Sequence, residues 1–266
     1  MSVVCVAFLS VTAYCVYRGV VNAPMKLADM ESDLKSQVDE IRVAAFRRIL
    51  NKRVSGLDQD IADLVTRGVR DSSEIVRSIV GGSIPVWLGV DDRSVMMLWM
   101  LCKDQSELVR RRASSSLVIC SVTSTLARRL LADVIARVPM ATIVELGRWI
   151  GADRARARAT WGNLLDDLSR ACCQAIDGQQ GVAGDVEGLI YLLLHIAAAT
   201  LRPDDRLVGM AASVNDRDVQ QRLLEQVDER FLSNESVEHL SAIQRMGDVH
   251  NARLAEKFMH ALTRRK

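Results

Sequence analysis

The sequence predicts an all-α protein built by stacking pairs of antiparallel helices, and three observations lead there. The first is composition. Hydrophobic residues make up 49% of the 266-residue chain but aromatics only 4%, so the core has to be aliphatic. Four prolines and 15 glycines are few for an all-β protein, which needs many tight turns. The second is a spacing. The pairs Ile41-Arg42, Val76-Arg77 and Val109-Arg110 fall 35 and 33 residues apart, and periods of roughly 20–50 residues belong to repeat architectures. The third is that apolar residues within these stretches recur with helical period, which predicts helix over more than about 60% of the chain and no sheet.

Length and charge bound the rest. The chain is long enough for one large domain or two small ones with a substantial core. Its net charge is +2, from 35 basic and 33 acidic residues, so no global field recruits nucleic acid or an anionic membrane, and nucleic acid is not an expected partner. The six cysteines, at 5, 15, 102, 120, 172 and 173, contain no C-x-x-C pair and no zinc-ligand spacing with a histidine. They are expected to be reduced thiols that pack as small hydrophobes.

Residues 1–24 are expected to form a hydrophobic N-terminal helix, a candidate membrane anchor. "MSVVCVAFLSVTAYCVY" has no charged side chain before Arg18, and "GVVNAPM" runs uncharged to Lys26. A spanning helix wants ~20 apolar residues, or ~17 at the short end. Val3, Phe8 and Leu9 would lie in the hydrocarbon, with Tyr14, Tyr17 and Arg18 at the interface, the arginine snorkelling. A secretory signal fits less well, because the segment opens without Lys or Arg and its best small-residue site, Val11-Thr12-Ala13, leaves a very short apolar region. A mitochondrial presequence would be amphipathic and Arg-rich, and this is neither. The remaining alternative is a helix buried in the protein or in a partner's groove. As an anchor, Arg18 and Lys26 put the rest of the chain on the positive-inside face, cytoplasm or organelle matrix.

Beyond Pro24, residues 25–266 read as one run of helices, with the clearest repeats over 36–118. "SQVDEIRVAAFRRIL" (36–50), "DSSEIVRSIVGGSI" (71–84) and "DQSELVRRRASSSLV" (104–118) align, and a small apolar residue follows each arginine by three: Ala45, Val80, Ala113. Two copies begin with Asp and carry Glu three residues later, Asp71 with Glu74 and Asp104 with Glu107. That pattern is the acidic relative of a capping box, in which the side chains satisfy free backbone N–H groups and oppose the positive helix end. In the third copy Val109, Ala113, Ser116, Leu117 and Cys120 form an apolar stripe, with Arg111, Ser114 and Ser115 falling away from it. Further helices, 57–69 and 92–102, lie between the copies, so each period is a helix, a short turn and a second capped helix. A lone hairpin of this kind cannot bury its apolar face, so neighbours must stack.

The chain resembles the HEAT-repeat family, whose second helix carries an Asp…Val-Arg…Ala pattern. Here that pattern is Asp71…Val76-Arg77…Val80 and Asp104…Val109-Arg110…Ala113. The resemblance implies a right-handed α-solenoid of antiparallel helix pairs. It also implies that each arginine reaches the Asp of an adjacent repeat, so Asp71, Arg77, Asp104 and Arg110 are expected to be ladder and cap residues. In the first copy Asp39 lies only three before Arg42, and Ser36 takes the cap position. After residue 118 the match fades. "GDVHNARLAEKFMHAL" (247–262) is a degenerate copy, and "NDRDVQQRLLEQV" (215–227) has Gln220 where the arginine would be.

Helices are expected at 123–138, 140–151, 153–176, 185–201, 215–231, 234–246 and 248–263. Pro139 suits a helix start, and "DGQQGVAGD" (177–185) is the clearest loop and a candidate hinge. Arg110 to Arg112 then read as a ladder arginine beside two solvent-facing charges. Arg128-Arg129 and Arg154, Arg156 and Arg158 are further basic spots, but residues two apart point about 200° apart on a helix, so 154–158 makes no single face.

No catalytic residue, cofactor or metal site is expected. His195 lies in "YLLLHIAAA" as a core histidine, His239, His250 and His260 occupy ordinary polar positions, and there is no H-E-x-x-H, G-x-S-x-G or P-loop. Trp87, Trp99, Trp149 and Trp161 suit packing. The expected function is therefore a non-catalytic scaffold or adaptor binding other proteins, as a membrane-anchored accessory subunit of a larger complex. The alternative is a nucleic-acid binder resembling the HEAT-like DNA glycosylases, using Trp149, Asp153 and the basic 154–158 region. A third class, HEAT-like bilin lyases or hydroxylases, is disfavoured because the hydroxylases need His-Glu metal motifs.

Overall fold

A computed structural model describes residues 27–51, 58–178, 183–246 and 248–264. Among them 81% are helical and none lies in a strand. The expected N-terminal helix, with Val3, Phe8, Leu9, Tyr14, Tyr17 and Arg18, lies outside the described residues. The chain divides into two units, Met1–Val54 and Ser55–Lys266. In the first, α1 (Leu27–Leu34) packs on α2 (Asp39–Asn51), and Met30, Ala45, Phe46 and Ile49 are buried. The short α1 carries no repeat motif, and sequence periodicity does not announce it.

The second unit holds α3 (Asp58–Val69), α4 (Glu74–Trp87), α5 (Asp92–Leu101), α6 (Glu107–Ser121), α7 (Thr125–Val134), α8 (Met140–Ala152), α9 (Arg154–Trp161), α10 (Leu164–Gly178), α11 (Ala183–Ala199), α12 (Pro203–Ala212), α13 (Arg217–Leu224), α14 (Val237–Arg245) and α15 (Val249–Thr263). Alternate helices are neighbours. α4 touches α6, α6 touches α8, α8 touches α11, and the row continues through α13 to α15. The other row runs α3, α5, α7, α10, α12, α14. Only α9 stands outside this alternation, packed on α8 and α11.

Local chemistry sets the boundaries. Asp91, Ser124, Asp153, Asp216 and Asp248 each accept a backbone N–H from the first turn of the helix they precede, satisfying donors that have no helical partner. The expected single helix over 153–176 is broken at Gly162, whose φ of 50° is a left-handed conformation glycine adopts without a Cβ penalty. The expected 123–138 helix ends at Val134 and passes through a 3-10 turn, Ile135–Arg137, before Pro139. The expected 215–231 helix stops at Leu224, with a separate 3-10 turn at Glu229–Phe231. α12 was not foreseen. Pro203 opens it with Asp204 and Asp205 in the first turn, a helix-start signature. The candidate hinge is narrower than expected, because α10 extends through Gly178 and α11 begins at Ala183; the connection between lies outside the described residues.

The core is aliphatic. Val76, Val80 and Ile84 of α4 and Val109, Ala113, Leu117 and Cys120 of α6 are fully buried, each large side chain gaining about 1.5–3 kcal/mol from leaving water. Ser114 differs from expectation. It is fully buried, because α6 lies between α4 and α8 and is covered on two sides, and its hydroxyl donates to the Arg110 carbonyl at 2.5 Å.

The α8–α11 contact depends on two glycines one helical turn apart. A Cβ at Gly147 would stand 2.8 Å from Tyr191 Cε1, and one at Gly151 would stand 2.3 Å from His195 Nδ1. Tyr191 and His195, four apart on α11, contact edge to face with ring centroids 4.4 Å apart. Gly82, on the exposed side of α4, meets only Arg112 Cδ at an ordinary 3.7 Å. Opposite outcomes are expected from the same substitution. Gly82→Ala should stabilise by about 0.5–1 kcal/mol through helix propensity. Gly151→Ala should cost about 1–3 kcal/mol of overpacking before the same propensity gain, and His195→Ala in the same chain should recover part of it. Urea midpoints of the three variants check this.

Candidate functional site

Three loops share one backbone device. Ser36 Oγ accepts from the Val38 N–H at 3.1 Å, Asp71 Oδ1 from the Ser73 N–H at 2.8 Å, and Asp104 Oδ1 from the Ser106 N–H at 2.9 Å. Six residues after each, an arginine folds back onto the loop. Arg42 Nη1 donates to the Ser36 carbonyl at 2.8 Å, Arg77 Nη1 to that of Asp71 at 2.8 Å, and Arg110 Nη1 to that of Asp104 at 2.9 Å. The repeat arginine is thus first a clamp on the turn that starts its own helix.

Asp71 and Asp104 are not the helix caps that their spacing from Glu74 and Glu107 suggests. The N-caps are Ser73 and Ser106, neither of which makes a side-chain cap bond, and Glu74 and Glu107 are the first helical residues. Each aspartate sits two positions earlier and closes a turn with its own downstream N–H instead, a competing use open to any Asp in such a loop.

Arg77 also crosses to the next repeat. Its Nε donates to Asp104 Oδ2 at 2.7 Å and its Nη2 to Asp104 Oδ1 at 3.0 Å, a two-pronged pair whose side chains are 19% and 12% exposed. Burial alone would raise the Asp104 pKa, but the Arg77 guanidinium and the Ser106 N–H outweigh it and hold the carboxyl below its usual range. The hydrogen bond from Arg77 to Asp104 likewise raises the arginine's own pKa.

Arg110 is half-buried and has no such partner: among the described residues no carboxylate lies within ion-pair distance of it. The reason is in the register. A step of 33 residues takes Asp71 to Asp104, and the next step lands on Arg137. Arg137 ends the 3-10 turn before α8, and with Arg110, Arg111, Glu107, Pro139 and Met140 it lines an open groove of about 750 Å³. Lys103, also at the groove, is engaged by Asp133 at 2.9 Å and by the Trp99 ring at 3.6 Å. Arg137 is the residue that motif alignment by arginines overlooks. The 33-residue step between the two aspartates is the signal that finds it.

The basic 154–158 region does not assemble into a site. Arg158 caps α11, its Nε donating to the Ala199 carbonyl at 2.8 Å, while Arg154 and Arg156 are exposed at the start of α9. Asp153 caps that helix, and Trp161 is buried, 6.5 Å from Trp149 between ring centroids. Arg128 is buried too, holding the Ser121 carbonyl at 2.7 Å. Burial, and then nearby Arg154, lowers the His195 pKa. Towards the C-terminus amides replace charges: Asn251 Nδ2 donates to Gln220 Oε1 at 2.9 Å, and both side chains are buried. Cys102, Cys120, Cys172 and Cys173 are free and buried, and burial pushes the Cys102 thiol up to about 12 and Cys120 and Cys173 to about 11. No group of side chains suited to a metal ion occurs among the described residues. Family models, curated proteins and solved structures give no match to this chain.

Because Asp104 titrates below an unfolded aspartate, its pairing contributes stability at neutral pH that is lost as acid protonates it. Arg77→Ala is therefore expected to cost about 1–3 kcal/mol at pH 7. The gap between wild type and variant should narrow below about pH 4. Arg110→Ala, which removes only bonds to backbone carbonyls, should cost less. Denaturant melts at pH 7 and pH 3 measure all three.

Proposed function

We propose that residues 25–266 form a HEAT-like, right-handed α-solenoid that serves as a non-catalytic protein-binding scaffold, with residues 1–24 as its membrane anchor. The alternation of helices in two rows and the repeated arginine clamp support the solenoid. One contrast carries the function. Arg77 closes on Asp104, Arg158 on the end of α11 and Gln220 on Asn251, so these polar groups serve the fold, while the groove between α6 and α8 stays open to an outside group. Stacked repeats give such a chain an extended surface for partners. The anchor reading is supported by the uncharged stretch before Arg18. No helix among the described residues is long and apolar enough to cross a membrane. The scaffold then lies on the positive-inside face as an accessory subunit of a membrane complex.

Purified in mild detergent, the full-length chain should co-elute with a stoichiometric protein partner and cross-link to it through α6 and α8. Elution alone as a monomer would refute the scaffold. It should also sediment with membranes and resist alkaline carbonate, whereas a chain lacking residues 1–23 should be soluble and helical by circular dichroism. A full-length protein that is monodisperse without detergent would remove the anchor and leave the solenoid.

A further inference from the structure

The geometry points to the groove between α6 and the turn before α8 as a receptor for a carboxylate side chain, Asp or Glu, presented by a partner protein, with Arg110 and Arg137 as its main ligands. This rests on the scaffold reading and gives its binding surface a chemistry.

The repeat itself shows how the carboxylate would be held. Arg77 and Arg110 are clamped alike, each Nη1 bonded to two loop carbonyls: Asp71 and Ser72 for Arg77, Asp104 and Gln105 for Arg110. That leaves the Nε–Nη2 edge. In Arg77 this edge takes both oxygens of Asp104. In Arg110 the same edge has no hydrogen-bond partner among the described residues, and Arg110 lines the groove. A planar pair of N–H donors matches a carboxylate fork.

Charge agrees. Asp104 and Lys103 are neutralised by Arg77 and Asp133. The lining charges left are Arg110, Arg111 and Arg137 against Glu107; Asp104 and Asp133 lie near enough to feel Arg110 and Arg137 but are paired with Arg77 and Lys103. The 33-residue step from Asp104 lands on Arg137 instead of an acid, and Arg110 and Arg137 line the same groove, so an anion entering it meets two cations. Val138, Pro139 and Met140 supply apolar wall for the methylenes of an acidic side chain, and the lining contains no aromatic for a base to stack on.

The test uses the full-length chain in neutral detergent and a fluorescein-labelled Gly-Ser peptide carrying three aspartates, read by fluorescence anisotropy. Wild type should bind it, more weakly as salt rises, and should not bind the peptide with asparagines in place of the aspartates. Arg137→Asp restores an acid at the 33-residue step, giving Arg110 an internal partner. It should weaken binding about tenfold or more with an undiminished melting temperature. Arg110→Gln should weaken binding similarly but also loosens the loop clamp, so the exposed Arg137 position decides. The inference is overturned if wild type ignores the aspartate peptide or if Arg137→Asp binds it unchanged. It is also overturned if inorganic phosphate or a DNA oligonucleotide displaces the peptide more strongly than free aspartate peptide does at equal charge. A co-eluting partner with no peptide binding would sink the groove and spare the scaffold. Peptide binding sensitive to Arg137→Asp in a chain that elutes alone would do the reverse.

Discussion

A helix with apolar side chains on two flanks cannot be satisfied by one neighbour, and this constraint organises the second unit of the chain. α6 shows it plainly. Val109, Ala113 and Leu117 are buried, and so are Ser114 and Ser121, because α4 covers one flank and α8 the other. The serines remain tolerable inside only because their hydroxyls donate to carbonyls of their own helix, Arg110 and Val118, which spares an unsatisfied buried group. Close approach follows from small residues at the crossings: a Cβ at Gly81 would lie 3.5 Å from that of Ala113. Each helix therefore needs both neighbours, and the rows grow by repetition.

The arginine clamp sets where each repeat begins. It costs little, since the guanidinium meets carbonyls that the turn leaves without helical partners, and it frees one guanidinium edge for a further bond. That spare edge links α4 to the start of α6 through Asp104. The aspartate answers on both sides, accepting the Ser106 N–H at 2.9 Å and the Arg77 fork. One residue thus shapes its own loop and fastens the preceding repeat to it.

Much of this was legible in the sequence. The helical class and the repeat spacing follow from residues whose roles are local or recur at fixed intervals, while the reach of Arg77 to Asp104 is what the resemblance to HEAT repeats implied. What escaped was set by competition between local options. Asp71 and Asp104 look like caps by their distance from Glu74 and Glu107, but an aspartate can close a turn two residues on as readily as it can cap, and only the backbone decides. Gly162 lies in a stretch whose apolar pattern continues through it, so periodicity alone carries the helix on. α12 hides because Pro203-Asp204-Asp205 reads equally as a turn. Arg137 is hidden because the repeats resemble one another in their arginines, while its meaning lies in the acid it replaces.

Beyond the Arg77–Asp104 pair the fastening changes mechanism rather than weakening. α6 and α8 are fastened by other means: Ser115 and Thr142 hydroxyls meet at 3.3 Å, and Ile143, Leu146 and Ile150 are buried along α8. Stacking there needs no ion pair, so an acid at position 137 is dispensable for the fold. Arg137 is exposed and Arg110 half-buried at the rim of an open groove, so water and salt screen much of their repulsion. The arrangement is therefore cheap to keep and free to vary independently of stability. In the layer before, Asp104 cannot vary in this way, since it holds a turn and a neighbouring helix at once. The groove sits at the point of the stack where the charge pattern is released from structural duty, which is where an external group can be bound without taking a bond from the fold.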